Sequence, residues 1–224
     1  SMKIQELKLF TSKIKAQAEF YSQVLELSII DRSDKHVSFQ IGKSILHFEY
    51  DQAATPYHFA INIPSNKENE ALKWLKSRLE ILKDGQDEII NFNAWNAKAI
   101  YFYDQDNNIV ELIARKNLNN TLDGKFGSDQ LLEISEIGVP TPDIESEFQN
   151  LSSILDIPIY DGGFGNFCAI GDENGLFIFI NKDSKNWYPT QDKAFPSAFE
   201  LKLSQKGKIY GIGFKNGKID VLDA

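Results

Sequence analysis

Residues Ala99–Arg115 read AIYFYDQDNNIVELIAR. Two apolar runs, Ala99–Tyr103 and Ile109–Ala114, flank the polar tip Asp104-Gln105-Asp106-Asn107-Asn108. Aromatic and β-branched runs around an Asp/Asn cluster predict a β-hairpin. Glu111 breaks the pattern, because it sits between Val110 and Leu112 and shares a face with Ile109 and Ile113. An unpaired buried carboxylate is costly, so Glu111 needs a cation, a donor or water in front of it.

The hairpin closes the second of two similar stretches. Lys3–Phe10 alternates as a half-buried strand. Thr11 or Ser12 can cap a helix with the apolar stripe Ile14, Ala18, Tyr21 and Leu25. Strands near His36–Ile41 and Lys43–Tyr50 follow, with Gly42 at the turn. The order then repeats. Tyr57–Ile63 is a strand ended by Pro64, and Ser65-Asn66-Lys67-Glu68 fits a capping box. The next helix carries Leu72, Leu75, Leu79 and Leu82, a weaker strand lies near Glu88–Phe92, and the hairpin completes the unit.

Residues 1–117 therefore form one expected domain, built as an internal repeat of strand, helix and three strands. Residues 118–130 read as a polar, glycine-containing linker, and 131–224 as a second, shortened domain. In the latter, Leu131–Val139 is a strand. Thr141 or Asp143 caps a helix striped by Ile144, Phe148, Leu151 and Leu155, and hairpins turn at Gly171–Gly175 and Asn216-Gly217. No helix fits between Leu203 and Ile209.

Composition narrows the function. The chain has 224 residues, 42% of them hydrophobic, and a net charge of −8, which disfavours a nucleic-acid partner without a local basic patch. No basic patch, membrane-length apolar run or signal peptide is visible, so the expected home is the cytoplasm. The single Cys168 excludes an internal disulfide and a multi-cysteine metal site.

Strand parity places a possible ligand opposite the main apolar face of four strands: Glu6, His47, His58 and Glu111. If helices cover the apolar faces, the other side presents two imidazoles and two carboxylates. That set suits a divalent Fe, Ni, Mn, Co or Zn ion, and a solvated polar face is the plain alternative.

Residues 1–115 resemble the vicinal oxygen chelate superfamily of glyoxalase I, extradiol dioxygenases, and fosfomycin and bleomycin resistance proteins. The resemblance is carried by Glu6-Leu7-Lys8-Leu9, the stretch Phe20–Leu27, Tyr57-His58-Phe59-Ala60-Ile61 and the hairpin ending Val110-Glu111-Leu112. It implies an α+β fold of two tandem glyoxalase-like domains, made of paired βαβββ modules that close into cups, the second domain shortened. By position it implies metal ligation by His58 and Glu111, with Glu6 and His47 beside them. Glu6 stands where the family usually has His or Gln, Gln105 replaces the turn proline and Asn107 the turn glycine. The second half resembles the family more weakly. Glu136 matches Glu6, Asp220 matches Glu111, and no imidazole stands beside them.

Three functions follow from the resemblance, each acting on a small molecule. One is a metal-dependent lyase or isomerase with Glu6 as proton-transferring base. Another is an extradiol-type dioxygenase on a small oxygenated substrate. The third is a non-enzymatic binder that sequesters an aromatic or cationic ligand. Cups closed within one chain and cups closed across a homodimer are both compatible with the repeat.

Overall fold

A computed structural model describes residues 1–222. Four modules follow one another. The first contains β1 (Met2–Thr11), α1 (Ile14–Glu19), β2 (Ile29–Arg32), β3 (His36–Ile41) and β4 (Ser44–Tyr50). The second contains β5 (His58–Ile63), α2 (Glu68–Lys76), β6 (Ile90–Phe92), β7 (Ala97–Tyr103) and β8 (Ile109–Arg115). The third contains β9 (Glu133–Thr141), α3 (Ile144–Ser152), β10 (Ile159–Gly162), β11 (Phe167–Asp172) and β12 (Gly175–Asn181). The fourth has only β13 (Phe199–Gln205), β14 (Lys208–Lys215) and β15 (Lys218–Leu222). The α+β class, the βαβββ repeat and the shortened last module are as the sequence indicated.

The pairing of modules is not. One sheet has the order β15-β14-β13-β1-β4-β3-β2, the other β10-β11-β12-β9-β5-β8-β7-β6. The first module therefore joins the fourth through the antiparallel pair β1:β13, and the second joins the third through β5:β9. The expected cup of residues 1–117 alone is corrected by this order: each sheet draws one module from each half, and both close within one chain. Strand periodicity fixes which side chains share a face, but leaves open which first strand meets which.

One continuous apolar core joins the sheets. It includes Leu7, Leu9 and Phe48 from the seven-stranded sheet with Phe59, Val110, Leu112 and Ile137 from the eight-stranded one. Each cup is the opposite face of its own sheet. Ser44 stitches the two sheets, its hydroxyl donating to Ile4 O at 2.7 Å and accepting from Ile134 N at 2.9 Å. The Ala99–Arg115 hairpin is pinned at its tip. Buried Asp104 accepts from Tyr21 Oη at 2.7 Å and Asn108 Nδ2 at 2.9 Å, while Asp106 Oδ2 accepts from Thr11 Oγ1 and Gln17 Nε2, both at 2.6 Å.

Helix starts differ from the sequence reading. The Ser65 capping box is not formed. Lys67 is the cap residue of α2, without a side-chain cap, and Glu68 pairs with Lys116 at 2.9 Å instead. α2 also ends at Lys76, so Leu79 and Leu82 lie beyond it. Asp143 does cap α3, its carboxylate accepting from Ser146 N.

Gly42 packs against the backbone that leads into β9. Its φ is +54°, and a Cβ there would lie 2.0 Å from Leu132 O. Gly42→Ala adds left-handed strain to a backbone clash, together worth about 2 kcal/mol or more. The melting temperature is expected to fall by at least about 4 °C for a chain of this size. A Gly42→Ala melting curve that overlays the wild type overturns this account of the contact.

Candidate functional site

The eight-stranded cup is built from rows of side chains that run across its strands. Ala60 on β5 pairs with Glu111 on β8 and with Glu136 on β9, and Glu111 pairs in turn with Tyr101 on β7. The row therefore reads Tyr101, Glu111, Ala60, Glu136, with two carboxylates straddling a methyl group. His58 precedes Ala60 by two residues and points to the same face. Alanines at 60, 97, 99 and 169 keep this face low, and Tyr101, Trp187 and Tyr188 rise around it.

The resulting cavity measures about 480 Å³. Its floor holds His58, Glu111 and Glu136, and its walls include Phe92, Trp95, Tyr101, Phe167, Trp187 and Tyr188. Trp187 crosses the His58 ring edge to face at 4.9 Å. It can do so because residue 138 is glycine: a Cβ there would be 2.6 Å from the Trp187 ring. Two hydrogen bonds strap the wall. Trp95 Nε1 donates to Asp161 at 2.7 Å, and Tyr188 Oη donates to Asp84 at 2.6 Å.

The floor groups are buried and answer one another. His58 Nε2 lies 3.2 Å from Glu111 Oε1, an N–H donating to carboxylate in the tautomer that suits both. Among the described residues His58 Nδ1 has no partner. Glu136 Oε2 accepts from Arg115 Nη2 at 2.5 Å. Burial, with the Glu111 charge, pushes the Glu136 carboxyl up to about 7, although Arg115 and His58 pull the other way. Burial, with Glu111 and Glu136 facing it, holds the Tyr101 hydroxyl well above its usual range.

Glu6 and His47 do not join this site. They lie in the seven-stranded sheet, on the other side of the shared core, so the expected constellation of Glu6, His47, His58 and Glu111 is corrected to two separate pairs. His47 Nε2 is 2.7 Å from Glu6 Oε1, and Lys202 Nζ is 3.1 Å from Glu6 Oε2. Next to them Lys8 pairs with Glu49 and Glu200. The hydrogen bond from His47, with help from Lys202, holds the Glu6 carboxyl below its ordinary range. A carboxylate so satisfied is a weak proton acceptor. The cavity beside this ladder is about 300 Å³.

The second half supplies one of the two modules of the eight-stranded cup. Glu136, Ile178, Trp187 and Tyr188 all come from it. Glu136 was visible through its match to Glu6. Arg115 could have been noticed too, since it follows Glu111 by four residues and so shares its face. Asp220, the other carboxylate of the second half, lies exposed on β15 of the other sheet.

A resident metal is tested by the donors. Glu111 sits across the sheet from Ile178, the apolar residue that occupies the matching place on β12. Glu136 is held by a guanidinium, and His58 and Glu111 are hydrogen-bonded to each other. Among the described residues no group of three His, Cys, Asp or Glu side chains is arranged to hold a metal ion. The residues present do not fit the divalent ion expected from the sequence.

No protein-family model matches the chain, and no curated protein matches it. Solved structures do. A candidate dioxygenase from Bacillus subtilis superposes with a TM-score of 0.59 at 16% identity, over 80% of this chain and 63% of that one. The chain thus spans less than two thirds of that protein's length. Two mutant forms of glyoxalase I from Zea mays give TM-scores of 0.55 and 0.53 at 12% and 13% identity, covering 83% and 80% of this chain and 71% and 67% of theirs. At these identities the likeness shows the fold alone, one shared with glyoxalase I and the Bacillus subtilis protein. No helix among the described residues is long and apolar enough to cross a membrane.

Because folded Glu136 keeps a proton that the unfolded chain has already released, its burial makes stability fall as pH rises from about 4.5 to about 7. Asp104, pushed up to about 6 by burial, adds a slope of the same sign. Glu136→Gln removes only the first contribution. Urea unfolding of both proteins at pH 5, 6, 7 and 8 is expected to give a shallower decline for the variant. Parallel declines overturn the assignment of the high carboxyl to Glu136.

Proposed function

We propose that this chain, with its vicinal oxygen chelate fold, uses the eight-stranded cup as a metal-independent binding site for a small planar organic molecule that carries positive charge. Of the functions open at the sequence level this is the binder. The observation that supports it is the row Glu111, Ala60, Glu136 at the bottom of an aromatic well. A flat ring can lie on the alanine between the carboxylates, with Trp95, Trp187 and Tyr188 as stacking walls. A cation gains both from the ring faces and from the carboxylates, and more so in a cavity that excludes water. With both carboxylates ionised, Arg115 offsets only one of them, which leaves a net negative floor.

The lyase and dioxygenase readings rest on a metal bound by two imidazoles or by imidazole with free carboxylates. His58 is the sole imidazole of this cup, and Glu136 is engaged by Arg115. Binding without chemistry asks less of these groups than catalysis does: aromatic walls and fixed charges at the floor.

Tryptophan fluorescence gives the test, since Trp95 and Trp187 both line the cavity. N-methylquinolinium is expected to quench it saturably, and an uncharged quinoline of the same size to bind several-fold more weakly. Chelator leaves the affinity unchanged. Glu111→Gln weakens binding, and so does a fall from pH 8 to pH 5, because a proton entering at Glu136 cancels the floor charge. Binding abolished by chelator, or equal for the charged and uncharged probes, overturns the proposal.

A further inference from the structure

Arg115 ends β8 with its side chain 1% exposed. Its guanidinium reaches from β8 past the central strand β5 to β9. Nε donates to Asn62 Oδ1 at 2.8 Å, and Nη2 donates to Ser135 Oγ at 3.3 Å and to Glu136 Oε2 at 2.5 Å. Nη1 is buried and has no partner among the described residues. A guanidinium stays charged under all ordinary conditions, so this is a permanent positive charge under the cup.

Two buried carboxylates in one row of one sheet face are costly to ionise without a buried cation. Three sources are conceivable at this floor: the His58 imidazole, a divalent ion and Arg115. We infer that Arg115 is the built-in counter-cation of the cup, held against Glu136 in place of a divalent metal and keeping such a metal out. The inference rests on the metal-free reading of the cup given above. The clamp is specific in its geometry. Asn62 lies on the same strand face as His58 and Ala60, and it is itself fixed by donating to Glu173 O at 3.1 Å. Ser135 immediately precedes Glu136, so one fork is oriented by an amide, a hydroxyl and a carboxylate together. If the guanidinium is deleted, Glu136 loses the partner that holds it and is free to turn toward His58 Nε2 and Glu111 on the same floor, with two carboxylates uncompensated. An imidazole with two carboxylates suits Co²⁺, Mn²⁺, Fe²⁺ or Zn²⁺.

The sharp experiment is therefore a gain of metal. Wild-type protein, purified without chelator or metal-affinity resin, is dialysed against Co²⁺ beside Arg115→Met, Arg115→Lys and the double variant Arg115→Met with His58→Ala. The expected result is no stoichiometric cobalt in the wild type and about one ion per chain in Arg115→Met, with a visible ligand-field band and a melting temperature raised by Co²⁺. Arg115→Lys, which keeps a cation, takes up none, and the double variant loses what Arg115→Met gained. A purely structural arginine gives no cobalt band in any variant. Arg115→Met that folds without taking up cobalt, or that stays unfolded with and without it, overturns the counter-cation role while leaving the metal-free cup intact. One cobalt ion in the wild type that His58→Ala removes overturns both readings.

Discussion

The seam between β5 and β9 is the constraint on which the rest depends. Antiparallel pairing of Phe59 with Ile137 and of Ala60 with Glu136 sets the register of two strands that are separated in the chain by a helix, three strands and a linker. A slip of one residue would send Glu136 to the helix-covered face and Ile137 into the cup. Apolar burial on one face therefore fixes the polar geometry on the other. Phe59, Ile61, Ile134 and Ile137 are fully buried, and the carboxylates are carried to their places by that packing.

The two cups share a topology and end in different chemistry. In the seven-stranded sheet, Glu6 faces Lys202 across the β1:β13 seam and Lys8 faces Glu200, so the floor is an internally neutralised ladder open to solvent. In the eight-stranded sheet, acids gather on a floor of alanines beneath aromatic walls. The difference lies in a few side chains at equivalent places on the pleat, which is why the fold by itself does not specify an activity. The missing helix of the fourth module has a local consequence as well. α3, from the third module, packs on β15, and its Glu147 accepts from Ile219 N at 3.1 Å.

Much of this was legible in the chain and some was not, for physical reasons. The hairpin at Ala99–Arg115, the four repeats and the shortened end follow from period-two alternation and turn chemistry, which are local. Parity put Glu6, His47, His58 and Glu111 opposite the apolar faces of their strands, and that parity holds. Their convergence failed because partner choice between first strands is a non-local decision that periodicity does not encode. The Ser65 capping box gave way to a tertiary ion pair between Glu68 and Lys116. Nothing in the local pattern marks Arg115 as buried, and only the neighbouring strands reveal that it is wholly enclosed. Trp187 reached the cup because Gly138 leaves room on β9, a contact between residues with no sequence relation.

The shared cups also bear on how the chain folds during synthesis. β1 pairs on one side with β4, which is near in sequence, but its other edge waits for β13, on the order of 200 residues later. At about 5–20 residues per second that edge stays unpaired for about 10–40 s, a bare template for other strands. The eight-stranded cup needs nothing beyond β12 to pair its strands, so it can close first. The nascent protein thus has a finished pocket on one side while the opposite edge is still exposed. The charges that line β1 there, Glu6 and Lys8, discourage a stranger from pairing before β13 arrives.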